Sequence, residues 1–258
     1  MNTQPYYIPN QLLTTRNVKT VKGEKLGWKT YILYMSPHNQ NSQGKSICPM
    51  ATAGCAAACL YGSGKGSLSS VQKGRTNKTE MFLKDRALFL KMIYSEIAQI
   101  SVKHEIEGGE FTIRLNGTSD ISWETFKVKD GKTIFELFPN VQFYDYTKNP
   151  NRFKASLPSN YYLIFSRSET NDAKAMELLK KKINVAMVFD VVPESYMGFK
   201  VINGDENDLR FLYVKGVIVG LRYKQVNTKG FDNDAAFKNG FAIRTNQEVV
   251  KSKIKKAA

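Results

Sequence analysis

The chain has 258 residues, a formal net charge of +15, 42% hydrophobic residues and 12% aromatic residues. That length suits one large α/β domain or two small ones, and the hydrophobic share is ample for a core, which sets aside a disordered chain. No apolar run is long enough to span a bilayer, so no membrane partner is expected, and Met1-Asn-Thr-Gln-Pro5 does not open a secretory signal.

Residues 1–28 are polar, without clear periodicity, and read as an N-terminal extension. Tyr31-Ile-Leu-Tyr-Met35 is a short β-prone run, the first strand, and Pro37 ends it. A polar loop follows from Asn39 to Ser46, and then three cysteines. Gly62-Ser-Gly-Lys-Gly66 is a flexible turn that lacks the spacing of a phosphate loop. Asn77-Lys-Thr-Glu80 is a capping-box pattern. It predicts one long helix over about 79–102, apolar at Met81, Phe82, Leu88, Phe89, Met92, Ile93 and Ile97, which Gly108-Gly109 breaks. Phe111–Leu115 is the second strand, followed by the polar turn Asn116-Gly-Thr-Ser-Asp120. A second helix is expected within 121–136. Val141–Tyr146 is the third strand, and Asn149-Pro150 starts a turn and a short helix. Tyr161–Phe165 is the fourth strand. A helix over 171–183 follows, capped by Thr170 or Asn171, and Lys180-Lys181-Lys182 at its end complements the helix dipole. Val185–Phe189, nearly all apolar, is the fifth strand, and Val217–Leu221 the sixth. Residues 251–258 form a basic tail. Strands alternating with helical patterns predict an α/β fold with a mainly parallel six-stranded sheet and right-handed crossovers. With no internal repeat or linker, residues 1–258 read as a single domain.

Cys48, Cys55 and Cys59 are the only cysteines, at spacing C-x6-C-x3-C. Three thiolates make an incomplete tetrahedral site, and such soft donors select an iron–sulfur cluster or zinc. An odd number of close cysteines is a poor disulfide framework, so a reducing cytoplasm is the expected setting. Zinc needs a fourth ligand, for which His38 is the best candidate. The plain alternative is three small buried side chains. His104 falls late in the long helix and is expected to be exposed. With two histidines in all, a histidine general base is not favoured.

A parallel sheet gathers its working residues beyond the carboxyl ends of its strands. Those positions hold the cysteine loop; Asn116, Thr118, Ser119 and Asp120; Asp145, Tyr146, Thr147 and Lys148; Ser166, Arg167, Ser168 and Glu169; and Asp190. Gly204-Asp-Glu-Asn-Asp208-Leu-Arg210 precedes the sixth strand. Asp120, Asp145, Asp190, Asp205 and Asp208 keep open a magnesium-dependent nuclease. The charge of +15 favours a nucleic-acid or nucleotide partner.

A strand, a three-cysteine loop and then repeating βα units resemble the radical S-adenosylmethionine enzymes, although their usual spacing is C-x3-C-x2-C. The resemblance implies a partial (β/α)6 barrel with a curved sheet. It implies a [4Fe–4S] cluster on Cys48, Cys55 and Cys59 with S-adenosylmethionine at the open iron, served by an electron donor. It places Asn116, Thr118, Ser119 and Asp120 at the methionine amine, and Ser166, Arg167 and Ser168 at the carboxylate or ribose. Tyr144, Asp145, Asp208 and Arg210 would then face the substrate, a nucleic acid or nucleotide. Gly108-Gly109-Glu110 looks like a motif of that superfamily but falls before the second strand, so it is treated as a decoy. More closely, the chain is similar to a phage-encoded family known as gene product eighty-eight. The matching stretches are Cys48-Pro-Met-Ala-Thr-Ala-Gly-Cys-Ala-Ala-Ala-Cys-Leu60, Arg114-Leu-Asn-Gly-Thr-Ser-Asp-Ile121, Gly204-Asp-Glu-Asn-Asp-Leu-Arg-Phe211 and Gly216-Val-Ile-Val-Gly-Leu221. That family brings no established reaction with it.

Overall fold

A computed structural model describes residues 6–15, 18–226 and 232–245. The basic run at 251–258 lies outside the described residues. In chain order the strands are β1 (Leu13–Thr14), β2 (Trp28–Leu33), β3 (Glu110–Arg114), β4 (Gln142–Thr147), β5 (Tyr161–Ser166), β6 (Val185–Phe189), β7 (Ser195–Tyr196), β8 (Phe199–Asn203), β9 (Ile218–Arg222) and β10 (Ala242–Ile243). The α-helices are α1 (Val18–Glu24), α2 (Ala53–Ala57), α3 (Ser69–Lys84), α4 (Arg86–Glu107), α5 (Ile134–Leu137), α6 (Asp172–Lys180) and α7 (Ala235–Lys238).

The strands form one sheet in the order β1-β2-β3-β4-β5-β6-β9-β8-β7, with β10 also paired to β6. From β2 to β9 every neighbouring pair is parallel. The six expected strands are therefore all present, side by side in chain order. Four more were not expected. β1 pairs antiparallel with β2, with Leu13 opposite Leu33. β8 adds parallel to β9, and β7 folds back antiparallel on β8. β10 pairs parallel with β6 at Val188 and Phe189, just past the point where β5 leaves β6 at Ala186.

Side chains alternate across the sheet. One face carries Tyr31, Leu33, Ile113, Phe143 and Leu163 and packs on Met81, Phe82, Phe89, Ile93 and Ile97 of α3 and α4. The same layer continues with Phe165, Val185, Met187, Phe189 and Ile218 under Ala175, Leu178 and Leu179 of α6. The opposite face carries Tyr144, Ile164, Ala186 and Val219, flanked by Tyr146, Tyr162, Phe211 and Tyr213. A single 3₁₀ turn, Arg210–Leu212, supplies Phe211 to that second face.

Three helical expectations are corrected. The long helix is two helices, because Asp85 leaves helical geometry and its carboxylate accepts from the Leu88 N–H, capping α4. The capping-box residues Asn77–Glu80 lie inside α3, which begins at Ser69. Within 121–136 there is only a 3₁₀ turn at Trp123–Thr125 and the short α5, whose capping box is Thr133 with Glu136. Gly108 does end α4, and Pro150–Phe153 is a short 3₁₀ helix as expected. Much of the N-terminal stretch joins the fold: Leu12 and Leu13 are buried in the core. Their N–H groups donate to Glu96 of α4.

Candidate functional site

The cysteine loop begins where β2 runs out at the carboxyl edge of the sheet. His38 takes a left-handed backbone (φ 52°), and its carbonyl accepts from the Ile47 N–H, closing the polar loop between them. Cys48 follows directly. Its sulfur accepts from the His38 N–H at 3.3 Å and lies 3.7 Å from the Thr118 carbonyl. Thr52 then caps α2, accepting from the Cys55 N–H. Glu169, beyond β5, holds this start from the other side: it accepts from the Gly54 N–H at 2.7 Å and from the Thr52 hydroxyl at 2.8 Å. A Cβ on Gly54 would stand 2.7 Å from the Glu169 carboxylate, which would have to shift to admit it. Cys55 lies within α2 and Cys59 just past its end.

The three thiols are half-buried neighbours. Each of Cys55 and Cys59 acts electrostatically on Cys48, and Cys55 acts on Cys59. Burial pushes the Cys48 thiol up to about 12, and burial raises Cys59 as well. Cys48 is thus a protonated thiol at neutral pH unless a metal ion displaces its proton. Lys148, just past β4, hydrogen-bonds Cys55. The donors are chemically suited to a cluster or a soft metal, yet they do not stand as a closed set. Among the described residues no group of three or more His, Cys, Asp or Glu side chains is placed to hold a metal ion. His38 does not complete one either: its Nδ1 lies 3.1 Å from the Ser46 hydroxyl. His104 is not a free exposed ring; it meets Tyr31 Oη at 3.1 Å and stacks on Phe111.

The turn after β3 props the loop up from below. The Gly117 N–H donates to the Leu33 carbonyl, and a Cβ there would fall 2.6 Å from that oxygen. The Thr118 hydroxyl donates to the Met35 carbonyl, and the Asp120 N–H to Ile47. Asn116 is buried, and its Oδ1 gathers Ser119 Oγ, the Ile121 N–H and Trp123 Nε1. Asp120 accepts from the Lys148 N–H at 2.8 Å and pairs with Arg152 at 3.4 Å. The side chains of Asn116, Thr118, Ser119 and Asp120 are therefore bonded within the protein, beside the cysteines.

The four residues expected to face a substrate divide between the two faces of β4. Tyr144 and Tyr146 point one way. Tyr144 donates to Asp208 at 2.7 Å, Arg114 and Arg210 pair with Asp208 at 3.1 and 2.9 Å, and Arg210 also binds the Tyr146 hydroxyl. Asp145 points the other way, fully buried, accepting from the Asn116 N–H at 2.6 Å and from Tyr161 at 2.8 Å. Burial pushes its carboxyl up to about 7 despite those donors. Asp145 thus lies below the Asn116 turn. Asp190 is spent on Val191 and Thr245, and Asp205 accepts from the Arg222 N–H.

Beyond β5, Arg167 grips Asp172 with two nitrogens and donates to the carbonyls of Gly240 and Phe241. It is a structural clamp, and its fork is occupied. Ser166 offers its carbonyl to Asn171. Ser168 is different: the residue is 1% exposed and its hydroxyl has no hydrogen-bond partner. It lines a cavity of about 570 Å³ with Met50, Thr52, Lys148, Asn171 and Lys174, between the cysteine loop and the start of α6. Volumes of this order hold small cofactors. Lys148 belongs to this site although the sequence marked it only as one of several strand-end residues. Arg75 and Tyr34 were missed altogether. Arg75 acts electrostatically on Cys59, and its guanidinium lies 4.9 Å from the Tyr34 ring.

No helix among the described residues is long and apolar enough to cross a membrane. No curated protein and no solved structure matches the chain. The family profile described as "Gene product 88" matches residues 10–244, spanning every element from β1 to β10. The chain therefore belongs to the Gene product 88 family.

Proposed function

We propose that this protein is an iron–sulfur protein of the radical S-adenosylmethionine kind. Cys48, Cys55 and Cys59 hold a [4Fe–4S] cluster, S-adenosylmethionine takes the open iron, and the substrate is a nucleotide or nucleic acid. The observation that carries this reading is the position of the thiols. They lie at the carboxyl edge of six parallel strands in chain order, beside a cavity of about 570 Å³. Strands in that order are what a partial (β/α)6 barrel requires. Such a cluster, once bound and reduced, supplies one-electron cleavage of a sulfonium.

This chain's own residues do the rest. The Asn116–Asp120 turn fixes the base of the loop, and Glu169 fixes the start of α2. Lys148, at the cavity wall and bonded to Cys55, supplies the cation for the carboxylate of S-adenosylmethionine, since the Arg167 fork is filled by Asp172. The unpartnered Ser168 hydroxyl faces the same ligand. Drawing the thiols together needs rearrangement of the short α2 turn, whose residues Ala53-Gly-Cys-Ala-Ala57 carry little bulk to oppose it.

Anaerobic purification with iron, zinc and sulfide analysis tests the reading. Iron and sulfide in equal amounts are expected, with each of Cys48→Ser, Cys55→Ser and Cys59→Ser losing most of the iron. Zinc without sulfide, or full iron content in all three variants, would end it.

A further inference from the structure

The start of α6 has no side-chain cap. Its N-cap residue, Asn171, turns its side chain away: Oδ1 accepts from the Ser168 N–H, and Nδ2 donates to the Ser166 carbonyl. Asp172, the acidic residue of the first turn, is held by Arg167. The Ala175 N–H is the first to bond back along the helix, to the Asn171 carbonyl, so those of Asp172, Ala173 and Lys174 have no partner within it. Asn171, Ala173 and Lys174 line the cavity of about 570 Å³ beside the cysteine loop. Ser168 lines it too, 1% exposed, with a hydroxyl that has no hydrogen-bond partner. Glu177 on the same wall is paired with Lys174 and Lys181. Elsewhere the wall is apolar, at Met50, Ala51 and Pro150.

A helix end with open N–H groups carries partial positive charge and takes an oxyanion. A buried hydroxyl left without a partner is costly, and a ligand in the cavity supplies one. A terminal phosphate has three oxygens and up to two charges for donors arriving from a helix end, a hydroxyl and the Lys174 ammonium. A carboxylate, or a phosphodiester inside a nucleic acid, has two free oxygens and a single charge. The apolar wall suits the base or sugar that such a phosphate carries. We infer that the start of α6, with Ser168 and Lys174, binds the terminal phosphate of a mononucleotide. The inference rests on the proposed function for placing the substrate in this cavity, and deepens it by choosing a nucleotide over a nucleic acid. S-adenosylmethionine keeps Lys148, and Ser168 serves both ligands, since a hydroxyl donates once and accepts twice.

Calorimetry on the metal-free, full-length protein tests this, so that a failure to load iron, which would end the cluster reading, leaves the result readable. The probes are adenosine 5′-monophosphate, adenosine, methionine, inorganic phosphate and an oligoadenylate with hydroxyls at both ends. The nucleotide is expected to bind about tenfold tighter than adenosine or the oligoadenylate, and inorganic phosphate to displace it. Ser168→Ala should weaken the nucleotide several-fold without lowering the melting temperature, because the free protein has no bond there to lose. Lys174→Gln, nearer the rim, should weaken the nucleotide and leave adenosine unchanged. The inference fails if the nucleotide does not bind, binds no tighter than adenosine, or binds either variant as tightly as the parent. An oligoadenylate that binds as tightly would make the cavity a nucleic-acid site and overturn it. Methionine that binds and is displaced by phosphate, with no nucleotide bound, would make the helix end a carboxylate site and overturn it too. Ser168→Ala melting well below the parent would make Ser168 a structural residue, against the inference.

Discussion

Asp145 shows at single-residue scale how the site is supported. It is fully buried beneath the Asn116 turn, and burial raises its carboxyl from 3.8 to about 7. A raised folded value means that the native state holds a proton the unfolded chain gives up. The contribution to stability is complete below the unfolded value of 3.8 and is lost as pH rises through about 7. The full span is worth on the order of 4 kcal/mol at most. Asp145→Asn removes the titration but keeps the shape. Thermal melts of parent and variant between about pH 4 and pH 8 should therefore diverge, with the variant gaining on the parent as pH rises. Melting curves that stay parallel across the range would show that Asp145 is ionised in the native state. The cysteines were legible as residues because nothing else in the chain resembles them. Arg75 was not: it stands in Gln72-Lys-Gly-Arg-Thr-Asn-Lys78, a polar run in which neither periodicity nor a turn signal marks one cation above another.

At the scale of elements, the six central strands were readable and the start of α3 was not, for a single reason. Hydrophobic periodicity reports burial. β5, β6 and β9 carry apolar runs because they are buried on both faces. In α3 the buried residues are Thr79, Glu80, Met81 and Phe82, so the pattern starts where burial starts, ten residues after the helix does. The first turns of α3 carry polar side chains past the sheet, and Arg75 is one of them. The break between α3 and α4 was hidden because apolar residues continue on both sides of Asp85. That aspartate accepts from the Leu88 N–H at 3.0 Å and from the Tyr6 hydroxyl at 3.1 Å. Asp85→Ala should cost about 1 kcal/mol as a lost N-cap and lower the melting temperature by roughly 2–4 °C for a chain of this size. An unchanged melt by differential scanning calorimetry would mean that the cap contributes nothing. The short strands β1, β7 and β10 were unreadable because two residues are too few to set an alternation.

For the whole molecule, the two ends of the described chain meet the sheet at very different places. β1 closes the edge beside β2, while β10 enters against β6 near the cysteine loop. Ala58, at the end of α2, packs with Ala236 and Ala242, and Asn239 lies against Gly54. The carbonyls of Gly240 and Phe241 also receive Arg167. The wall around Cys55 and Cys59 is thus partly built from residues made nearly two hundred positions later. Such a long closure is entropically late in folding. During synthesis the cysteines emerge early and wait without their wall until Ala236 and Ala242 have been made. If the cysteines hold the proposed cluster, a metal captured in that interval would meet an open loop, and loading would belong after this segment has joined the sheet. A chain cut before Asp232 should keep most of its circular dichroism yet retain several-fold less iron after anaerobic reconstitution than the full chain. Equal iron in the two would mean that the loop matures without the wall that follows Asp232.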